Sequence, residues 1–405
     1  MASDERQLDD WLDSYLRFTS ETEPPTSYHT WIGISVIAAT LQRKCYLPWG
    51  RMTFYPNMYV VLVGPSGKCR KGTAMGTGAK FLKDIGIKMA AEATTREALI
   101  RELKQTEGST VDHNGLPELH ASLTIYSQEL TVFLGYDNKQ LISDMTDWYD
   151  CRDTWTYRTK NMGTDEITNL WVNLIGATTP ELVQSALPRD AVGGGLASRI
   201  IFVYEQDKKQ SVPFPFLNHE DVQLRDKLRD DLELISQIRG PFKWTEDFLD
   251  VYGSWYLEQE ASPPFSNDPN FQGYVQRRAN HIFKLCIILS ASRDSNRIID
   301  ASIFKKAKRI LDDAELKMGR TFSGYGTSRL ADVTTRIMTL LANRGSANYK
   351  ELLSTFYADL EEGRRTLDNI LDTLVAMNYC TRHDGGDGFI YKFNPGSTSG
   401  KTFNQ

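Results

Sequence analysis

Three observations predict an α/β protein built on a parallel sheet. Four short apolar runs, MYVVLVG (58–64), ASLTIYS (121–127), LWVNLIGAT (170–178) and RIIFVYE within 199–205, lack the polar alternation of a half-exposed strand, as strands buried on both faces should. Stretches of helical periodicity separate these runs, and strand–helix alternation is the pattern of parallel strands joined by crossovers. Helical pattern also flanks the block on both sides, before residue 50 and from 217 to about 320.

Residues 1–50 read as an N-terminal helical segment of two helices, broken at ETEPPTSYH, where Pro24 and Pro25 stop continuation. The α/β core occupies 51–212 and exits at VPFPF (Val212 to Phe216). A helical region is expected over 213–325, with YVQRRANHIFKLCIILSASR its most apolar helix, and SGYGTS (323–328) as the linker that ends it. Over 326–395, three helical stretches (ADVTTRIMTLLANRG, NYKELLSTF and EEGRRTLDNILDTLVAMNY) precede a hairpin around Gly385, Gly386 and Gly388, the pattern of a C-terminal winged helix. The tail, 396–405, reads as disordered. The sequence shows no internal repeat or low-complexity segment.

The chain has 405 residues, room for two to four domains, and 40% hydrophobic against 24% charged residues, a globular composition. Its net charge of -5 requires any nucleic-acid contact to come from local basic patches. The five cysteines are odd in number and form no CxxC pair, and the six histidines show no ligand spacing. Neither a zinc site nor a disulfide framework is supported, which favours a reducing cytosol. The opening MASDERQLDDWLDSYL is acidic and amphipathic, unlike a signal peptide, and the longest apolar stretch, WIGISVIAATL, is too short to span a bilayer. A cytoplasmic protein without membrane contact is expected.

YVVLVGPSGKCRKGTA (Tyr59 to Ala74) has the makings of a phosphate loop: an apolar strand, glycines, lysines, a threonine and the start of a helix. Such a loop needs glycines so that backbone N–H groups approach phosphate oxygens, a lysine for the β and γ phosphates, and a hydroxyl for Mg²⁺, all at the positive end of a helix. Gly64, Pro65, Ser66, Gly67, Lys68, Cys69, Arg70, Lys71, Gly72 and Thr73 are therefore the expected ATP-binding residues. The spacing is irregular. Counting strictly from Gly64 puts Cys69 at the second glycine, Arg70 at the lysine and Lys71 at the hydroxyl residue. A loop one residue longer lets Lys71 hold the phosphates and Thr73, behind Gly72, the metal; Lys68 is a further candidate for the phosphates.

LTIYSQEL ends a strand on Glu129, a candidate general base and metal-side acid, although Gln128 stands where a metal-coordinating Asp would be expected. In LWVNLIGATTPELV, Thr178 can orient an attacking water, while a β-to-α turn with a helix N-cap explains the same residues. Arg199, in GGGLASRIIFVYE, is a candidate arginine finger for a neighbouring subunit's γ-phosphate; an arginine before a strand also serves in salt bridges.

Taken in this order, the four motifs resemble the AAA+ superfamily of ring ATPases. LASRIIFVY resembles the finger segment of MCM-type helicases, and LVGPSG…RKGTA, GATTPEL and GLASRIIFVYE are similar to a family of phage- and plasmid-borne helicase-like ATPases related to MCM-type and superfamily 3 replicative helicases. The resemblance covers roughly residues 25–320. It implies a P-loop core with Mg²⁺-dependent ATP hydrolysis at subunit interfaces and a helical lid bearing a sensor arginine at Arg277 or Arg278. It also implies a homo-oligomer, a hexamer in this family, acting on single-stranded DNA. A replication initiator or helicase loader, switched by ATP, is the alternative; other replication proteins are expected partners under either reading.

TWTYRTK and DEITNLWVN flank NMGT in a hairpin pattern. In helicase-type rings a hairpin at this place grips the nucleic-acid backbone, so the resemblance implies Arg158 and Lys160 as DNA-binding residues. Arg364 and Arg365, at the start of the third C-terminal helix, are the winged-helix candidates, set among acids such as Asp368 and Asp372.

Overall fold

The computed structural model describes residues 5–90, 94–135, 138–159, 163–187, 195–265, 268–322, 329–360, 363–385 and 388–395. The chain divides into two compact units, Met1–Phe322 and Ser323–Gln405.

The first unit begins with α1 (Trp11–Phe18) and α2 (Thr26–Leu41), then the antiparallel pair β1 (Cys45–Trp49) and β2 (Met52–Phe54). There follow β3 (Tyr59–Val63), α3 (Lys71–Asp84), β4 (Met89–Ala90), α4 (Arg96–Gln105), β5 (Glu107–Val111), β6 (Pro117–Ser127), α5 (Leu130–Leu134) and α6 (Lys139–Trp148). Next come β7 (Thr154–Thr159), β8 (Gly163–Thr168), β9 (Leu170–Thr178), α7 (Pro180–Ala186) and β10 (Ile200–Tyr204). The remainder is mostly helical: α8 (His219–Ile235), β11 (Gly240–Pro241), β12 (Lys243–Trp244), α9 (Glu246–Ala261), α10 (Gln272–Val275), α11 (Arg278–Arg293), β13 (Ile298–Ile299) and α12 (Ala301–Met318).

The protein is α/β. Its main sheet has the order β10-β3-β9-β6-β4, parallel at every one of these pairings, with β5 antiparallel against the outer half of β6. The four apolar runs read from the sequence are β3, β6, β9 and β10. All five residues of β3 and all nine of β9 are buried, the burial that a strand covered on both faces requires. Polar side chains cap the helices between them: Thr95 accepts from the Ala98 N–H, Asn138 from Leu141, Thr179 from Leu182, and Asn218 and Asp221 form a capping box on α8.

The segments 1–50, 51–212 and, as far as Phe322, 213–325 lie together in the first unit. The reason lies in α2. Thirteen of its sixteen residues are buried, and it packs on α3, α8, α11 and β9, so it has no free polar face with which to stand apart. The apolar helix read from 274 onward is two elements, because the backbone leaves helical geometry at Arg277 (φ -104°, ψ 0°) before α11 begins.

The second unit contains α13 (Arg329–Arg344), β14 (Ser346–Asn348), α14 (Tyr349–Phe356), α15 (Arg364–Ala376), β15 (Cys380–Asp384) and β16 (Phe389–Phe393). The strands form an antiparallel sheet, β14-β16-β15, over a core of its own that includes Ile337, Leu341, Leu352, Leu367, Leu371 and Tyr391. β14 was not expected; three residues of SAN carry no strand signal until β16 supplies the ladder. All five cysteines are buried thiols. Among the described residues, no helix is long and apolar enough to cross a membrane.

Candidate functional site

Three adjacent parallel strands end at one edge of the sheet. Val63 of β3 pairs with Thr178 of β9, and Ser127 of β6 pairs with Gly176, so Gly64, Thr178 and the Gln128–Glu129 pair leave the sheet side by side. This edge is also a topological switch point. The chain leaves β3 toward β4 on one side and leaves β9 toward β10 on the other. Open parallel sheets bind ligands in the crevice that such diverging connections leave at the strand C-termini.

The 64–70 loop is held by its first glycine. A Cβ on Gly64 would lie 2.4 Å from the Glu205 carbonyl oxygen, 2.6 Å from the Tyr28 hydroxyl and 2.8 Å from Cys69 Sγ. The Tyr28 hydroxyl donates to the Val63 carbonyl at 2.7 Å, and the Cys69 thiol donates to Glu205 O at 3.2 Å. Ser66, Gly67 and Lys68 form the exposed tip, with Gly67 at φ +71°.

Helix α3 begins at Lys71, immediately after Arg70, whose backbone is left-handed (φ 56°, ψ 37°). Arg70 thus adopts the conformation that glycine takes without strain, and its side chain turns away to Glu23 at 2.7 Å. Lys71 folds back across the loop, donating to the Gly64 carbonyl at 2.5 Å and the Pro65 carbonyl at 3.3 Å. Partial burial lowers its ammonium pKa, opposed by the charges of Glu129 and Glu181 and by Cys69. Of the two lysine candidates, Lys71 spans the loop and Lys68 points from its tip. Gly72 and Thr73 are exposed in the first turn of α3, and the Gln128 Oε1 lies 3.3 Å from where a Gly72 Cβ would be.

Glu129 is half-buried and accepts from the Thr131 hydroxyl at 3.0 Å. Thr178 is buried, with its hydroxyl against the Thr179 carbonyl at 3.4 Å; Thr179 performs the N-cap role for α7.

These residues fit a Mg²⁺-nucleotide in chemical type: a lysine on loop carbonyls that phosphate oxygens can replace, open glycines, a first-turn hydroxyl and one carboxylate. The described residues include no cluster of three or more His, Cys, Asp or Glu that could hold a metal ion.

Arg199, Arg277 and Arg278 lie elsewhere. Ile200 pairs with Tyr59, so Arg199 stands at the start of the strands, about 20 Å from Gly64 at the usual rise per residue. It is buried and donates to Asp150 at 3.0 Å and to the Gly195 carbonyl at 3.0 Å. Arg277 is its neighbour: burial, with the Arg199 charge, lowers the Arg277 pKa. Arg278 is locked inside the helical region by Glu315 at 2.7 Å and by Asp312. On the loop side, the helical region supplies Lys317, bonded to Glu205 at 2.7 Å, and Arg320, whose charge reaches Tyr204 at the end of β10.

Glu181, Tyr28 and Arg320 are residues around the loop that sequence reasoning missed. Glu181 had a signal, as the acid in the first turn after Thr179–Pro180. Tyr28 had none, because a residue of α2 reaches the loop only through packing.

The β7–β8 hairpin forms as its sequence implied, with Thr159 opposite Gly163. Trp155 and Tyr157 stack at 6.1 Å, Trp148 meets Trp155 edge-on, and the Arg96 guanidinium covers the Tyr157 ring at 4.8 Å. Arg158 is exposed near the tip; Lys160 lies outside the described residues. In the second unit, Arg364 and Arg365 are exposed at the start of α15, and Arg382 on β15 pairs with Asp372 of that helix at 3.4 Å.

No model of a known protein family and no curated protein matches the chain.

Proposed function

We propose that the chain is an ATPase of the AAA+ type, working as a replicative DNA-helicase-like ring protein of a phage or other mobile element. One observation carries the reading: the Lys71 loop, Glu129 and Thr178 converge at the ends of three neighbouring parallel strands, at the switch point of the sheet. The strand bearing Thr178 lies between the loop strand and the acid-bearing strand, so both its neighbours present their chemistry to the same crevice.

A bound Mg²⁺-ATP supplies the phosphoryl group and the metal charge. Lys71 gives up its loop carbonyls and holds phosphate oxygens, and the N–H groups at the start of α3 face the same anion. Thr73 offers its hydroxyl to the metal, Glu129 accepts a proton from water, and Thr178 orients that water. Arg199 and Arg277, at the opposite edge of the sheet, are far from this loop, and together they suit a neighbouring subunit's phosphates. The β7–β8 hairpin, with Arg158 and Lys160, is the proposed contact to single-stranded DNA; the second unit, with Arg364 and Arg365, is proposed as a winged helix.

A second reading, an ATP-switched initiator or helicase loader that binds DNA without unwinding it, is favoured by two features. Gln128 is neutral where a metal-side carboxylate would act, and Arg199 is tied to Asp150.

The test is ATP hydrolysis with and without single-stranded DNA, comparing the parent chain with Lys71→Ala and Glu129→Gln. The helicase reading expects DNA-stimulated turnover that falls about 10²- to 10⁴-fold in Glu129→Gln, the usual contribution of a general base, and is lost in Lys71→Ala. ATP binding without turnover, abolished by Lys71→Ala, would leave the switch reading; no nucleotide binding at all would sink both.

A further inference from the structure

A cluster of basic side chains gathers around a cavity remote in sequence from the 64–73 loop. A cavity of about 420 Å³ is lined by Arg6, His113, Gln237, Arg239, Ser295 and Arg297, with Leu234 and Ile238 at its wall. The nitrogen-bearing side chains come from four places: the segment before α1, the β5–β6 turn, the exit of α8 and the approach to β13. None of the lining residues is acidic.

The charges are not balanced locally. Arg6 is paired with the buried Asp231 at 3.1 Å, and that carboxylate also accepts from the Gln7 and Leu8 N–H groups. Arg239 and Arg297 have no carboxylate partner among the described residues. Arg239 Nη1 donates to the Val111 carbonyl at 2.9 Å, and Arg297 Nη1 donates to the Arg239 carbonyl at 2.6 Å. Arg239 Nε is enclosed without a partner. A guanidinium has five N–H donors, so each of these side chains retains donors for a ligand.

The backbone is shaped to bring them together. Arg297 sits at φ +60°, a left-handed conformation unfavourable for a side chain of this size. Gly240 (φ +88°) has no room for a Cβ, which would lie 2.7 Å from Arg297 Nη1 and 2.7 Å from His113 Cβ. Backbone strain retained at a cluster of like charges is expected where the cluster meets an anion.

We infer that this cavity binds a phosphate group through Arg239 and Arg297. The lining offers forked guanidinium donors, whose geometry matches phosphate oxygens. The group comes either from the backbone of a nucleic-acid strand or from a free phosphate compound, and both present the same oxygens.

The inference is independent of the phosphate-loop reading, and its test uses the full chain with Lys71→Ala throughout, to silence that loop. Two probes are titrated separately: pyrophosphate by calorimetry and a short fluorescent oligothymidylate by anisotropy. Arg239→Gln and Arg297→Gly are each expected to weaken at least one probe by about tenfold or more, the loss of one charge-assisted contact. An effect on oligothymidylate, with a salt slope smaller by about 0.7 per arginine removed, identifies strand backbone as the ligand. An effect confined to pyrophosphate identifies a free phosphate. Arg297→Gly removes the left-handed strain together with the charge, so it is expected to melt no lower than the parent, which separates lost binding from unfolding. Parental affinity in both variants for both probes, or no binding of either probe by the parent, overturns the inference.

Discussion

At Gly64 a single missing Cβ decides whether the loop exists. Three groups, from α2, the residue after β10 and the loop itself, occupy the space, and one of them, the Glu205 carbonyl, is backbone that cannot swing aside. Gly64→Ala is therefore expected to destabilise the first unit by about 1–3 kcal/mol, the usual range for overpacking, and to displace Lys71 from the loop carbonyls. Denaturant unfolding alongside nucleotide titration checks this, and an alanine variant with parental stability and parental binding would refute it. Arg70 shows the complementary case. Its backbone is left-handed although it is not glycine, its side chain pairs with Glu23, and the helix starts at the next residue, Lys71.

Among the elements, β9 is the strand on which the site is registered. It lies between β3 and β6, and its Asn173 side chain is fully buried. Asn173 Oδ1 accepts the Met58 N–H at 2.9 Å, while Leu174 N–H donates to the Met58 carbonyl at 2.9 Å. Together these bonds set where β3 begins, and so where Gly64 emerges relative to Thr178. Asn173→Leu leaves a buried N–H unpaired, which costs about 1–3 kcal/mol, and the stabilisation from an added apolar side chain does not restore that bond. Equilibrium unfolding measures the loss; stability equal to the parent would show that Asn173 does not carry the register. A one-residue slip here would turn every side chain of β3 to the opposite face.

On the scale of the whole molecule, three histidines are buried neutral in the first unit. Burial lowers His29 in α2 and His120 in β6 to about 4, and His281 in α11 to about 3. Since an unfolded histidine titrates near 6.5, the unfolded chain takes up protons first as the pH falls. The stabilisation is complete above about pH 6.5 and is lost progressively toward pH 3–4. Between pH 7 and pH 5 each histidine is expected to withdraw about 2 kcal/mol, so urea unfolding of the first unit should shift to clearly lower midpoints at pH 5. Equal or greater stability at pH 5 would contradict the neutral burial of these groups.

The sequence by itself determined the α/β class, the four core strands, the β7–β8 hairpin and the strand–loop–helix order around residues 64–73. Burial on both faces, strand–helix alternation and turn glycines are local signals that survive in the bare chain. It also singled out Lys71, Glu129 and Thr178, because residue type at a strand end is legible without contacts. Only the tertiary structure decided which lysine spans the loop and that Arg277 stands beside Arg199 while Arg278 is locked to Glu315. It alone merged residues 1–50 with the core and gathered Arg6, Arg239 and Arg297 around one cavity. Those outcomes depend on pairings between residues distant in the sequence, such as Tyr28 of α2 with Val63 of β3, 35 positions apart, or Arg239 with Val111 of β5, 128 positions apart. Short strands such as β4, β11 and β14 have the same origin: two or three residues have no propensity of their own to express, and become strands only when a neighbour supplies the ladder.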